Sequence, residues 1–280
     1  MATASTRPAF HLRLAARHHA QQTLLCVGID PLPSALPLPF QRSATQSASA
    51  GVYAYGLALA EATADFALAF KPQVAHFAAL GAEQELAALI EELHLRHPDI
   101  PVVLDAKRGD IGSTAERYAL EVFDRYDADA VTLSPYLGPE GLEPFLKWSD
   151  RGAFVLCRTS NPDSAWLQRG SGDAAPYRRV ARYCAERYAD CPGFGLVVGA
   201  TTPDDLNEVR RIAPQSLLLV PGVGAQGGDA AVVAACGQRA GGGGLLVNVS
   251  RGISSQWDVG ATGSEGWRAA AEAFHLQMRG

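Results

Sequence analysis

Pro101–Thr114, PVVLDAKRGDIGST, is the stretch that decides the fold. Its apolar run, Val102, Val103 and Leu104, leads into Asp105, Lys107 and Asp110 within six positions. If 104–107 is extended, alternate side chains share a face, so Asp105 and Lys107 point the same way. Gly109 and Gly112 then loosen the backbone, and Ser113 followed by Glu116 predicts a capping box opening a helix. The pattern is a buried strand ending in a carboxylate–ammonium pair, with a second carboxylate on the loop beyond. A solvated ion-pair cluster is the plain alternative. Charges set directly after an apolar strand, however, stand where α/β folds carry their chemistry.

The neighbouring segments repeat the logic. In DFALAFK (65–71), Phe66, Leu68 and Phe70 share one face, and Ala67, Ala69 and Lys71 share the other. Pro72 keeps Lys71 extended. In LLCVGID (24–30), Cys26, Gly28 and Asp30 share a face. Small residues inward and bulky ones outward under helices are what a closed parallel barrel demands. Further apolar strands are predicted at 130–138, 152–160, 194–201, within 216–229, and at 243–252. Helices are predicted at 52–63, 82–96, 113–127, 142–148, 177–188 and 203–212. His76 reads as a packed helix residue.

Strict β–α alternation over 280 residues predicts one (β/α)₈ TIM barrel, an α/β fold, spanning 1–280. A helical arm (about 1–23) precedes it, and longer connections fall at 31–63 and 160–192. A doubly wound open sheet is the rival, but no G-x-G-x-x-G follows the first strand.

Composition narrows the function. Hydrophobic content of 48%, charged content of 19% and net charge −5 describe a globular protein with a sizeable core. No basic stripe suggests nucleic acid, and no apolar run approaches a membrane span. The five cysteines (26, 157, 184, 191, 236) have neither disulfide-framework nor zinc-ligand spacing, so no metal is expected and a reducing cytoplasm is. The chain has no acid before Asp30, while Arg7, Arg13 and Arg17 precede it. That resembles a transit peptide. Phe10, Leu14 and Arg17 at helical spacing favour instead a helix packed on the domain. Of 24 basic side chains only Lys71, Lys107 and Lys147 are lysine, and the first two end apolar strands. Lysine can give up a proton where arginine cannot.

Read in order, the strand ends collect Asp30, Lys71, Asp105, Lys107, Ser160, the 221–229 loop and Arg251. PGVGAQGGD (221–229) has Gly222, Gly224, Gly227 and Gly228 free to turn backbone N–H groups toward an anion. Val249-Ser250-Arg251-Gly252 adds a guanidinium after the last strand. Loops after strands seven and eight of barrels recurrently bind phosphate, so a phosphorylated ligand is expected.

DAKRGDIGST, with CVGIDP before it and AFKPQ, CRTSNP, PGVGAQGGD and VSRGI around it, closely resembles the orotidine 5′-phosphate decarboxylase family. The long connections are similar to its larger bacterial subtype. The resemblance runs from about Cys26 to Gly252. It implies cofactor-free conversion of orotidine 5′-phosphate to UMP in pyrimidine biosynthesis. Lys107 is then the proton donor to C6, Asp105 faces the substrate carboxylate, and Lys71 orders the charged network and binds the ribose. It also implies a homodimer in which Asp110 reaches the neighbouring site. Asp30 and Thr114 hold ribose hydroxyls, Ile111 lines the pyrimidine pocket, and Ser160 contacts the base. Gln226 and Arg251, beside Pro221 and Ser250, grip the phosphate. The rivals are an imine-forming, aldolase-like barrel, a Mg²⁺-dependent sugar-phosphate enzyme on the same scaffold, and a non-catalytic phospho-ligand binder.

Overall fold

The computed structural model describes residues 7–41, 48–170, 172–258 and 263–279. Residues 1–6 of the arm, 42–47 and 171 of the long connections, 259–262 and 280 lie outside the described residues.

The chain runs α1 (Phe10–Gln21), β1 (Leu25–Ile29), α2 (Ala48–Thr63), β2 (Ala67–Pro72), α3 (Val74–Ala78), α4 (Glu83–Arg96), β3 (Val103–Arg108) and α5 (Gly112–Leu120). It continues β4 (Ala130–Leu133), α6 (Glu143–Leu146), β5 (Gly152–Arg158), α7 (Ala165–Gln168), α8 (Pro176–Arg187), β6 (Phe194–Val198) and α9 (Pro203–Ile212). β7 (Leu217–Pro221), α10 (Ala230–Gly237), β8 (Leu245–Val249), α11 (Arg251–Ser254) and α12 (Glu265–Gln277) complete it. All eight strands are parallel, in the order β2-β1-β8-β7-β6-β5-β4-β3. The β2–β3 seam is closed by two bridges, Phe70↔Val102 and Gln73↔Asp105. The expected (β/α)₈ barrel is the fold.

Two expectations within it need correction. No side chain caps α5: its N-cap is Ile111, and Gly112 at φ +51° already opens the helix, which leaves Ser113 inside it. Glu116 pairs instead with Lys147 at 3.0 Å. The alternation on β2 also fails at its start. Leu25 pairs with Ala67 but Cys26 with Ala69, so one extra residue is inserted at Leu68. Leu68 therefore joins the barrel interior, and only above the bulge do Ala69 and Lys71 resume the inward face.

The interior is filled by Cys26, Val103, Phe154, Val197, Leu217, Leu219 and Leu246, with Phe10 and Leu14 of α1 plugging the N-terminal end. Phe10 meets Phe154 edge-on, centroids 5.9 Å apart, and occupies space that a side chain at Gly152 would fill. We expect Phe10→Ala to lower the unfolding free energy by about 3–5 kcal/mol through loss of apolar contact and a residual cavity. A lower urea midpoint, with ligand affinity at the opposite mouth unchanged, is the measurement.

The same end carries a buried charge cluster. Asp129 accepts from Arg13 Nη1 at 2.5 Å, from the Val102 N–H at 2.8 Å, and lies 3.0 Å from His94 Nε2. Burial opposes its charge, but His94, Arg13 and the Val102 N–H together hold its pKa down at about 2. A carboxylate depressed in the folded state stabilises above its unfolded pKa near 4 and loses that contribution as pH falls toward the folded value. About 2 kcal/mol should therefore vanish between roughly pH 4 and 2. Asp129→Asn is expected to flatten the stability–pH curve across that window in acid-unfolding measurements.

Candidate active site

At the C-terminal mouth a cavity of about 490 Å³ is lined by Asp30, Lys71, Asp105, Lys107 and Thr132 on one side. Leu156, Val197 and Leu219 form an apolar wall opposite, and Ser160, Pro221, Gln226, Asn248, Ser250 and Arg251 reach into it. Its size suits a nucleotide-sized ligand.

Asp105 is the hub. Its Oδ2 accepts from Lys71 Nζ at 2.8 Å, and its Oδ1 accepts from Lys107 Nζ at 2.6 Å and Thr132 Oγ1 at 2.8 Å. The Lys71 pair spans the β2–β3 seam, so the charges of the site stitch the weakest join of the barrel. Burial opposes ionisation of Asp105, yet Lys71 and Lys107 hold its carboxyl well below the usual range. Burial likewise opposes the charge on Lys71, but Asp105 and then Asp30 hold its ammonium above the usual lysine range. Neither group titrates near neutral pH.

The two lysines are not equivalent. The Lys71 side chain is 4% exposed, whereas that of Lys107 is 48% exposed to the cavity. Simple alternation does not produce this arrangement. The register slips between Leu104 and Arg108, and Lys107 takes a left-handed backbone, φ +46°. For a non-glycine residue such a conformation costs about 1–2 kcal/mol. It is held because Thr132 Oγ1 accepts from both Ala106 N–H (3.1 Å) and Lys107 N–H (3.0 Å). The turn folds the Lys107 ammonium back over Asp105.

Asp30 Oδ2 accepts from Ser250 Oγ at 2.6 Å, while its Oδ1 has no hydrogen-bond partner among the described residues. Gly28 makes room for this contact, since a Cβ there would lie 2.7 Å from that of Ser250. Cys26 lies beneath the charges. Burial, reinforced by Asp105 and Asp30 and opposed by Lys71, raises its thiol pKa to about 12, so it is no nucleophile.

The loop after β7 departs from expectation. Gly222, Gly224 and Gly227 have positive φ. However, the N–H groups of Gly224, Gly227 and Gly228 donate to the loop's own carbonyls, at 3.0, 2.8 and 3.1 Å. Those of Ala225 and Gln226 make no such bond, and the Arg251 guanidinium has no partner among the described residues. Side chains and the loop tip, rather than a full nest of glycine N–H groups, face the ligand space.

Asp110, Ile111 and Thr114 do not line this chain's cavity. Asp110 Oδ1 accepts from the N–H of Ile111 at 2.8 Å, and Ile111 is 51% exposed. Sequence reasoning missed Thr132 and Asn248. Their signal was one polar residue at inward parity in an otherwise apolar strand, AVTL and LLVNV. Among the described residues no three His, Cys, Asp or Glu side chains cluster so as to hold a metal ion.

Eight parallel strands with an acid–lysine network and unpaired anion-seeking groups at the C-terminal mouth define a barrel enzyme acting on an anionic ligand. The family model described as Orotidine 5'-phosphate decarboxylase / HUMPS family matches residues 23–265, and the chain belongs to that family. It is 45% identical over 271 residues to an orotidine 5'-phosphate decarboxylase of Azoarcus sp. (strain BH72), covering 96% of this chain and 97% of that protein. The structure of Leishmania donovani OMP decarboxylase is 37% identical with TM-score 0.81, over 96% of this chain and 97% of that one. That of Leishmania donovani UMP synthase is 39% identical with TM-score 0.82, over 97% of this chain but 56% of that longer one.

Proposed function

We propose that this cavity is where the chain decarboxylates orotidine 5′-phosphate to UMP, its step in pyrimidine biosynthesis, with Lys107 as the proton donor. The observation that carries the assignment is the inequality of the two lysines on Asp105: Lys71 is buried, whereas Lys107 presents its ammonium to the cavity. One can fix charge, and the other can deliver a proton.

The chemistry follows from that division. The bond from C6 to the carboxylate breaks, CO₂ leaves, and the electron pair stays at C6 in the ring plane. A proton passes from Lys107 Nζ to C6, and the resulting neutral amine regains a proton from solvent. A preorganised ammonium beside the developing carbanion supplies the electrostatic stabilisation that dominates many enzymatic barriers. Asp105 faces the substrate carboxylate and holds Lys107 in place, and Lys71 keeps Asp105 ionised. The open Oδ1 of Asp30 suits a ribose hydroxyl. Ser160 is the contact to the base, and Gln226 and Arg251, beside Pro221 and Ser250, hold the phosphate. Phosphate contacts remote from C6 can supply binding energy realised in the reactive state.

The position of Asp110, Ile111 and Thr114 outside their own cavity supports a homodimer in which this exposed strip completes the neighbouring site. The carbonyl of Asp110 packs against Gly141, and the loop between carries exposed Tyr136 and Leu137, an apolar margin suited to such a contact. Five free cysteines fit a reducing, cytoplasmic setting, and no described helix is long and apolar enough to cross a membrane.

The test is absorbance monitoring of orotidine 5′-phosphate with protein exhaustively treated with chelator. Undiminished conversion to UMP is expected. Loss of turnover on chelation, restored by Mg²⁺, would favour a metal-dependent reaction instead.

A further inference from the structure

Arg158 breaks the rule by which strand ends are read. A charged residue at the C-terminal end of a barrel strand is where catalytic groups stand, and Arg158 ends β5. Alternation from the cavity-lining Leu156 would also send it inward. The register slips there, however: Leu156 pairs with Val197 and Arg158 with Val198. Val197 belongs to the barrel interior and Val198 to the layer beneath the helices. The bulge thus turns Arg158 out of the cavity. It is 4% exposed and donates from Nε to Asp205 Oδ2 of α9 at 2.8 Å.

A buried guanidinium needs partners for its remaining N–H groups. Nη1 donates to the Thr159 carbonyl at 2.8 Å, to the Ser164 hydroxyl, and to Gln168 Oε1 at 3.4 Å. Gln168 holds Thr159 twice, accepting from its N–H and donating to its Oγ1, both at 2.8 Å. Thr159 Oγ1 then donates to Asn161 Oδ1 at 2.7 Å. Arg169 Nη2 donates to the same Asp205 Oδ2 at 3.2 Å. Thr159, Ser160, Asn161 and Gln168 all line the cavity. Within the described residues, neither Gln226 nor Arg251 shares a hydrogen bond with this network.

We propose that Arg158 and Asp205 are positioning residues for base recognition. Their buried pair, relayed through Ser164 and Gln168, sets the pose of 159–161 from outside the barrel wall. It thereby governs affinity for the pyrimidine end of the ligand and leaves the phosphate end alone. The proposal rests on the reading of Ser160 as the contact to the base.

The experiment titrates UMP and ribose 5-phosphate separately into the wild type and into Arg158→Met, Arg158→Lys, Asp205→Asn and Ser164→Ala, with kcat and KM for orotidine 5′-phosphate alongside. Arg158→Met and Asp205→Asn should weaken UMP about tenfold or more, the scale of a lost buried charged hydrogen bond, with ribose 5-phosphate unchanged within about twofold. KM should rise more than kcat falls. Arg158→Lys keeps the charge but not the planar fork, so partial recovery is expected. Ser164→Ala leaves the ion pair in place and should show the same selectivity at smaller size. Equal weakening of both ligands overturns the proposal, as does unchanged UMP affinity in the folded variants. A wild type that binds UMP no better than ribose 5-phosphate would instead overturn the reading of Ser160 on which it rests.

Discussion

Lys107→Ala is expected to lower kcat/KM for orotidine 5′-phosphate by at least about 10⁴-fold, because in the proposed mechanism one substitution removes both the proton source and the charge beside C6. The fold should survive. The side chain is half exposed, and the backbone N–H groups that hold the turn on Thr132 belong to residues 106 and 107 whatever their side chains. Asp105 keeps Lys71 and Thr132 as partners. Lys107→Arg should be nearly as inactive, since a guanidinium keeps charge but does not release a proton. Lys71→Ala is the poorer test. It strands a buried carboxylate and cuts the ion pair across the β2–β3 seam, so lost activity would mix with lost stability. Saturating turnover assays beside melting curves decide the matter, and near-normal turnover of folded Lys107→Ala would remove the lysine from the mechanism.

Asp110→Ala is expected to be almost inactive alone and to recover activity when mixed with Lys107→Ala. In a two-fold dimer with shared sites, the hybrid holds one cavity with its own Lys107 and the partner's Asp110, and one that lacks both. Random exchange at equal concentrations makes half the dimers hybrid, so about a quarter of wild-type activity should return. Recovery must rise and saturate with mixing ratio as subunit exchange proceeds. A mixture that exchanges subunits, as followed by differential labelling, and stays inactive would place Asp110 in its own chain's chemistry. Ile111 and Thr114, on the same exposed strip, should complement in the same way with smaller individual losses.

The parts of the site legible in the sequence are those where chemistry and periodicity coincide. Lys71, Asp105 and Asp30 follow apolar runs at consistent parity, and the structure places all three in one cavity. Phe10, Leu14 and Arg17 likewise recur at helical spacing, and α1 buries them. Parity fails wherever a strand gains a residue. On β2 the bulge sends Leu68 inward, and on β5 it turns Arg158 outward. A bulge responds to how two twisted strands meet, and neither strand records its partner's register. The capping box failed because Gly112 adopts positive φ and starts the helix one residue before Ser113. The hydroxyl of Thr132 looked like an ordinary strand residue until β4 was laid beside β3.

By itself, then, the sequence determined that this chain is a (β/α)₈ barrel with acids and lysines gathered at its C-terminal mouth. Those properties follow from residue type and spacing, which local geometry reads directly. Only the tertiary structure decided which lysine is buried and which presents its ammonium to the cavity. Lys107 is set apart by a left-handed turn that Thr132 stabilises from the next strand, and Lys71 by burial across the seam. Exposure and left-handed strain are properties of packed neighbours, so no reading of one strand alone contains them.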